Sequence, residues 1–198
     1  MFITFEGLDG SGKTTQVRLL AARLEAEGVE VVITREPGGT QLGEEIRDLV
    51  LHGGGMAPWA EAALYAASRA QHVEELIRPA LARGATVLCD RYVDSSVAYQ
   101  GVARGLGLDR VLELNLAAVG GLMPDLTILI DIESGRAVAR MSEQRDRIER
   151  EDDGFHARAA DAYRKLAVLF PDRYLTVDGA APPELIAEEI YGALRRDF

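Results

Sequence analysis

The sequence predicts an α/β fold: a parallel five-stranded sheet with helices on both faces. Two observations carry this. Strand-like apolar runs recur along the chain with longer helical patterns between them, and the polar clusters directly follow those runs. In open α/β sheets ligands gather beyond the carboxyl ends of the strands, which is where Asp9, Arg35 and the Asp90-Arg91 pair fall.

The first strand is expected at Phe2 to Phe5, followed by a glycine turn and a helix in which Val17, Leu20, Ala21 and Leu24 share a face. Further strands are expected at Val29 to Thr34, Thr86 to Asp90, Leu126 to Asp131 and Tyr174 to Val177. Between them a helical pattern runs from Ala62 to Ile77, and the clusters Glu36 to Gly39, His52 to Pro58 and Ala180 to Pro183 read as loops. No repeat or linker divides the chain, so a single domain over 1–198 is expected.

The turn after the first strand, Gly7-Leu8-Asp9-Gly10-Ser11-Gly12-Lys13-Thr14, fits G-x-x-x-x-G-K-[ST] without a mismatch. In such a P-loop, glycines let backbone N–H groups curl around phosphate oxygens and the helix N-terminus adds its dipole. Lys13 then reaches the β- and γ-phosphates and the Thr14 hydroxyl sits on Mg²⁺, so a nucleoside triphosphate is the expected ligand. The fold expected is therefore the three-layer P-loop arrangement.

With 198 residues, 47% apolar and 27% charged, the composition is that of an ordinary globular protein. The chain enters its first strand at once and carries no membrane-length apolar run, so neither signal peptide nor span is expected, and the protein is placed in the cytoplasm. The single cysteine, Cys89, reads as a buried strand residue. A formal charge of −10 argues against nucleic acid or anionic membrane as a partner. Any anionic ligand must meet locally concentrated arginines. Because Lys13 and Lys165 are the only two of the 22 basic residues that are lysine, arginine is abundant and position must decide which ones matter.

Five constellations remain, each with a competing structural interpretation. Arg35-Glu36-Pro37-Gly38-Gly39 is a surface turn with a solvated ion pair, or a fork that grips phosphate bidentately. Asp90 holds Mg²⁺ while Arg91 faces a phosphate, or the two form a structural ion pair. Asp94 to Gly101 supplies hydroxyl, amide and phenol groups suited to a sugar or base edge, or a capped helix start. Tyr65 and Arg69, four apart, sandwich and hydrogen-bond a nucleobase, or divide between core and surface. The arginines of the run from Arg140 to Arg150 line a solvated helix face, or form a lid over about 140–152 that brings a guanidinium to the transferring phosphoryl group.

The set of segments resembles bacterial thymidylate kinases over essentially the whole chain. The matching segments are Phe5 to Thr15, Thr34 to Thr40, Asp90-Arg91 with Ser95, Ser96, Tyr99 and Gln100, Pro124 to Thr127, and Asp146 to Glu149. The resemblance implies transfer of the γ-phosphoryl group of Mg·ATP to dTMP, giving dTDP and ADP for dTTP synthesis, by a homodimer. Carried over by position, Gly7 to Thr14 with Arg140, Arg145 and Arg147 contact ATP, and Lys13, Asp9, Arg91 and Arg147 are catalytic. Thr14 and Asp90 hold the metal. Asp9, Arg35, Pro37, Tyr65, Arg69, Arg91, Ser96, Tyr99 and Gln100 bind dTMP, with Tyr65 stacking on thymine and Tyr99 crowding out a ribose 2′-hydroxyl.

Three departures bear on this. Tyr65 stands where the family commonly has phenylalanine, the segment before Asp146 lacks a glycine often seen there, and Gly10 stands where some members carry a catalytic arginine. The last departure points to the lid, and within it to Arg147.

Overall fold

The computed structural model describes residues 1–140 and 145–197. Five parallel strands form one sheet in the order β2-β3-β1-β4-β5. They are β1 (Phe2–Glu6), β2 (Val31–Arg35), β3 (Thr86–Asp90), β4 (Leu126–Asp131) and β5 (Tyr174–Asp178). The expected strands are all present, with shifts of one or two residues only at β1, β2 and β5.

The central strands are buried on both faces, as a parallel sheet covered by helices requires. On one face Ile3, Phe5, Leu88, Ile128 and Ile130 pack against α1 (Lys13–Ala26) and α9 (Pro183–Asp197) through Val17, Leu20, Leu24, Ile186 and Ile190. On the other, Phe2, Val87 and Cys89 meet Val73, Ile77, Val93, Val97 and Leu166. Leu166 belongs to α8 (Asp153–Leu169).

The helical pattern expected from Ala62 to Ile77 begins earlier and ends later. It comprises α3 (Pro58–His72), a π-helical segment at Val73–Ile77 and α4 (Arg78–Ala82). Pro79 has no N–H to donate, and the widened turn before it lets the helix pass the proline unbroken. A second π-helical segment, Val97–Ala103, follows the short α5 (Val93–Ser96), and α6 (Leu108–Ala118) completes that side.

Three further pieces frame the carboxyl edge of the sheet. Helix α2 (Gln41–His52) starts at Thr40, whose hydroxyl accepts from the Gly43 N–H at 3.0 Å, a cap worth about 1 kcal/mol. Helix α7 (Ser134–Ala139) leads toward the predicted lid, of which 141–144 lie outside the described residues. After the gap, Asp146 Oδ1 accepts from the N–H groups of Ile148 and Glu149 while Glu149 Oε2 accepts from the Asp146 N–H. That reciprocal pair is the capping-box arrangement, and it fixes the turn that carries Arg147.

Candidate active site

Strand register brings the chemistry together. Phe5 and Arg35 both pair with Asp90 across neighbouring strands, so the segments leaving β1, β2 and β3 emerge side by side. Strand β1 lies between β3 and β4, where successive connections diverge, which is where an open α/β sheet forms its crevice.

The loop after β1 has the geometry its glycines predict. Gly7, Gly10 and Gly12 take φ values of 136°, 79° and 103°, and Gly12 begins α1 in the left-handed region. Gly7 also packs too closely for a side chain, since a Cβ there would lie 2.6 Å from the Ile130 carbonyl oxygen. Lys13 Nζ folds back to donate to the Leu8 and Gly7 carbonyls at 2.8 and 3.2 Å. Burial, followed by the Arg91 charge, lowers the Lys13 pKa. Thr14 Oγ1 donates to Asp90 Oδ2 at 2.9 Å. Ser11 Oγ is buried with no hydrogen-bond partner among the described residues.

Two adjoining cavities open at this edge. One, of about 650 Å³, lies over the P-loop and is lined by Gly10, Gly12, Lys13, Thr14, Arg35 and Asp90 among others. The other, of about 540 Å³, is lined by Pro37, Tyr65, Arg69, Ser96, Tyr99 and Gln100 among others. Asp9, Glu36, Arg47 and Arg91 line both. Eight of the nine residues expected on the acceptor side therefore meet in the second cavity, and Arg35, the ninth, faces the first.

Arg91 is the best-held cation at the junction. Its backbone φ of 72° is rare for a residue with a side chain, and such strain is commonly retained where function needs it. Nη2 donates to Asp9 Oδ1 at 2.6 Å, and Nη1 donates to the Gly7 carbonyl, Ser95 Oγ and Tyr163 OH at 3.0 to 3.1 Å. Burial opposes ionisation of Asp9, but the Arg91 and Lys13 charges outweigh it and bring its pKa down to about 2.

Beneath Arg91 lies Glu6, fully buried at the end of β1. Its carboxylate accepts from the Tyr92 N–H at 2.8 Å, from Ser95 Oγ at 2.6 Å and from Tyr163 OH at 3.1 Å. Desolvation, with the nearby Asp94 charge, pushes its pKa up to about 7.

Arg69 corrects one alternative: it is not a surface residue, being only 1% exposed. Nε donates to Glu36 Oε2 at 2.6 Å, Nη2 to the Tyr92 carbonyl at 2.9 Å, and Nη1 to Ser96 Oγ and Asn115 Oδ1. Glu36 is likewise buried, and not half of a solvated pair with Arg35, which instead forks onto Glu44. The other Glu36 oxygen lies 2.8 Å from His72 Nδ1, and His72 Nε2 lies 2.7 Å from Thr34 Oγ1. Glu36, His72 and Cys89 have metal-ligand chemistry and lie within 4.8 Å of one another. Each ligand atom already has a partner, Cys89 donating to the Arg91 carbonyl at 3.1 Å, so the cluster braces the loop. Burial raises the Cys89 pKa, in keeping with an inert thiol.

The structure places the lid arginines outside both cavities. Arg147 lines neither cavity: Nη1 donates to Glu61 Oε2 at 2.6 Å, Nε to the Val50 carbonyl at 2.8 Å, and its backbone N–H to Leu51. The physical reason is Glu61, a buried carboxylate on α3 that draws in both Arg147 and Arg104. Arg145 is exposed and lines neither cavity. Arg140 bonds the Gly179 carbonyl at 3.0 Å, yet its Cβ would be 3.4 Å from a Cβ placed on Gly10. That placement explains the missing P-loop arginine, since the same Cβ would stand 2.3 Å from the Ala137 carbonyl oxygen of α7. Helix α7 occupies the space a side chain at Gly10 would need.

Sequence reasoning missed Arg47, which lines both cavities and donates to the Pro37 carbonyl at 2.9 Å. It also missed Leu51, Asp146 and Ile148 as cavity walls. Arg47 is one of many helical arginines, and only the placement of α2 beside Pro37 distinguishes it.

Residues 5–190 match the family model described as thymidylate kinase. A thymidylate kinase of Clavibacter sepedonicus is 54% identical over 96% of this chain and 92% of its own length, and that of Pelotomaculum thermopropionicum 47% identical over 97% and 91%. The chain belongs to the thymidylate kinase family. A crystal structure of the Ehrlichia chaffeensis thymidylate kinase superposes with a TM-score of 0.82 at 33% identity, covering 98% of both chains. The two-cavity edge thus sits in a fold shared across the family, on a P-loop that lies inside the matched span.

Proposed function

We propose that the chain transfers the γ-phosphoryl group of ATP to dTMP, with ATP over the P-loop and dTMP in the cavity lined by Tyr65, Arg69 and Gln100. The observation that carries this is the junction: Asp9 and Arg91 line both cavities and are held together at 2.6 Å, so one rigid pair lies between the two nucleotides. Catalysis is then positioning and charge, without a covalent intermediate. The acceptor is already a phosphate oxygen and needs no general base.

In this reading Gly7 to Thr14 wrap the triphosphate, with Lys13 leaving its loop carbonyls for the phosphates. Arg35, Arg47 and Arg91 hold the acceptor phosphate and the transferring group between them. Tyr65 stacks on the base, and Tyr99, whose hydroxyl reaches Asp9 Oδ2 at 3.5 Å, closes the sugar side. Arg140 lies against Gly10 of the P-loop, and Arg147 serves as a lid anchor. Thr14 and Asp90 suit Mg²⁺, because they put a hydroxyl and a carboxylate, both hard oxygen donors, side by side. When bound, the ion neutralises charge on the β- and γ-phosphates.

The chain works as one kinase domain, as a homodimer and in the cytoplasm. No helix among the described residues is long and apolar enough to cross a membrane. A phosphorylation assay across dTMP, dUMP, dCMP, AMP and thymidine tests the assignment. dTMP is expected to be the preferred acceptor, and preference for any other overturns it.

A further inference from the structure

Glu61 lies on α3 outside both cavities, is fully buried, and gathers four donors. Oε1 accepts from Gln100 Nε2 at 2.9 Å and Arg104 Nε at 3.2 Å, and Oε2 accepts from Arg104 Nη2 at 3.1 Å and Arg147 Nη1 at 2.6 Å. Burial opposes its ionisation, but the bonds from Gln100, Arg104 and Arg147 outweigh it and lower its pKa, so it is an acceptor on every side.

A carboxylate that only accepts dictates which end of the Gln100 amide faces it. The NH₂ must point to Glu61, which leaves the Gln100 carbonyl for the other side. Gln100 lines the acceptor cavity, and its Oε1 accepts no hydrogen bond among the described residues, nor is it a sealed, unsatisfied atom. We propose that Glu61 is a positioning residue for base selection: it locks the Gln100 amide so that a carbonyl acceptor, and not an NH₂ donor, faces the base.

A carbonyl there favours a base whose edge offers a ring N–H, as thymine and uracil do, and opposes cytosine, which offers a lone pair at the same ring position. This rests on the acceptor cavity holding dTMP. An acid that touches no substrate thereby contributes to rejecting dCMP, and it does so through the same carboxylate that anchors Arg147.

Glu61→Gln tests the lock. The two arginine donors at Oε2 keep the amide oxygen of residue 61, so its NH₂ replaces Oε1, gives up the longer 3.2 Å bond from Arg104 Nε and faces Gln100, which must then turn its own NH₂ toward the cavity. The ratio of kcat/KM for dTMP over dCMP is expected to fall by about tenfold or more, carried largely by KM. The double variant Glu61→Gln, Gln100→Glu reverses donor and acceptor across the contact, again presents an oxygen to the base, and is expected to restore the ratio. A merely structural role predicts no such rescue.

An unchanged ratio in folded Glu61→Gln, or no recovery in the folded double variant, overturns the proposal. Should neither variant fold, the wild-type protein decides. The Gln100 side-chain NH₂ protons are expected to exchange more slowly than those of exposed Gln41, and equal rates overturn the lock. A wild-type enzyme that does not prefer dTMP to dCMP instead overturns the acceptor reading beneath it.

Discussion

Replacing Glu6 with glutamine isolates the effect of one buried charge on stability. The Glu6 carboxyl has an ordinary pKa of 4.5 and is pushed up to about 7 in the fold, chiefly by desolvation. Below pH 4.5 the carboxyl is neutral in folded and unfolded chains alike and costs nothing. Between 4.5 and 7 the unfolded chain releases its proton while the folded one retains it, so stability falls as pH rises. Above 7 the folded form ionises too and the loss levels off. At about 1.4 kcal/mol per tenfold change in proton affinity, the whole loss is about 3 kcal/mol.

Glutamine at position 6 keeps the shape and stays neutral. Its carbonyl can accept from the Tyr92 N–H, and its NH₂ can donate to Ser95 Oγ and Tyr163 OH, both of which also accept. Urea unfolding of the two proteins between pH 5 and 8 is the assay. The variant is expected to gain roughly 2–3 kcal/mol relative to wild type across that range. Carboxylates with lowered pKa values, such as Asp9, lose their contribution only at lower pH and are common to both proteins, so the difference isolates Glu6. A wild-type-to-variant difference that stays flat from pH 5 to 8 would refute the buried, proton-holding carboxyl.

Gly39→Ala puts a Cβ 2.7 Å from the His72 ring and Thr34 Oγ1 at a φ of 79°, and is expected to cost about 2–3 kcal/mol in urea unfolding. Arg69→Ala leaves the buried Glu36 charge without its guanidinium, so a loss of about 3–5 kcal/mol should accompany a raised KM for dTMP with a smaller change in kcat. Asp90→Asn should raise the Mg²⁺ concentration for half-maximal activity about 10–100-fold while leaving the melting temperature nearly unchanged.

The sheet was legible because its strands are short apolar runs with both faces buried, a pattern that survives in sequence. The residues of the second cavity were legible as a group because they follow strand ends or share a helical face, as Tyr65 and Arg69 do. What the sequence concealed is partnership. Arg147 and Arg69 are both arginines near candidate site motifs, and nothing local says that Glu61 has captured one and Glu36 the other. Residues 65 and 69 share a face by helical periodicity alone. Residues 61, 104 and 147 meet only because α3, the residue that caps the Val97–Ala103 segment and the turn after Asp146 converge.

Those partnerships explain how a chain of net charge −10 can hold two anions side by side. At the site Arg91, Arg69 and Arg35 already have the carboxylates of Asp9, Glu36 and Glu44, so their guanidinium groups are oriented before a nucleotide arrives. Each such pair contributes direction at the expense of net charge. The balance over the P-loop nevertheless stays positive, because four cations, Lys13, Arg35, Arg47 and Arg91, line that cavity against Asp9, Glu36 and Asp90. Lys13 and Arg47 tip it: among the described residues they bond only backbone carbonyls, and those neutral partners can be exchanged for phosphate oxygens without stranding a buried acid. Attraction for the triphosphate is therefore local and short-ranged, while the net negative charge of the chain repels polyanions too large to enter the crevice.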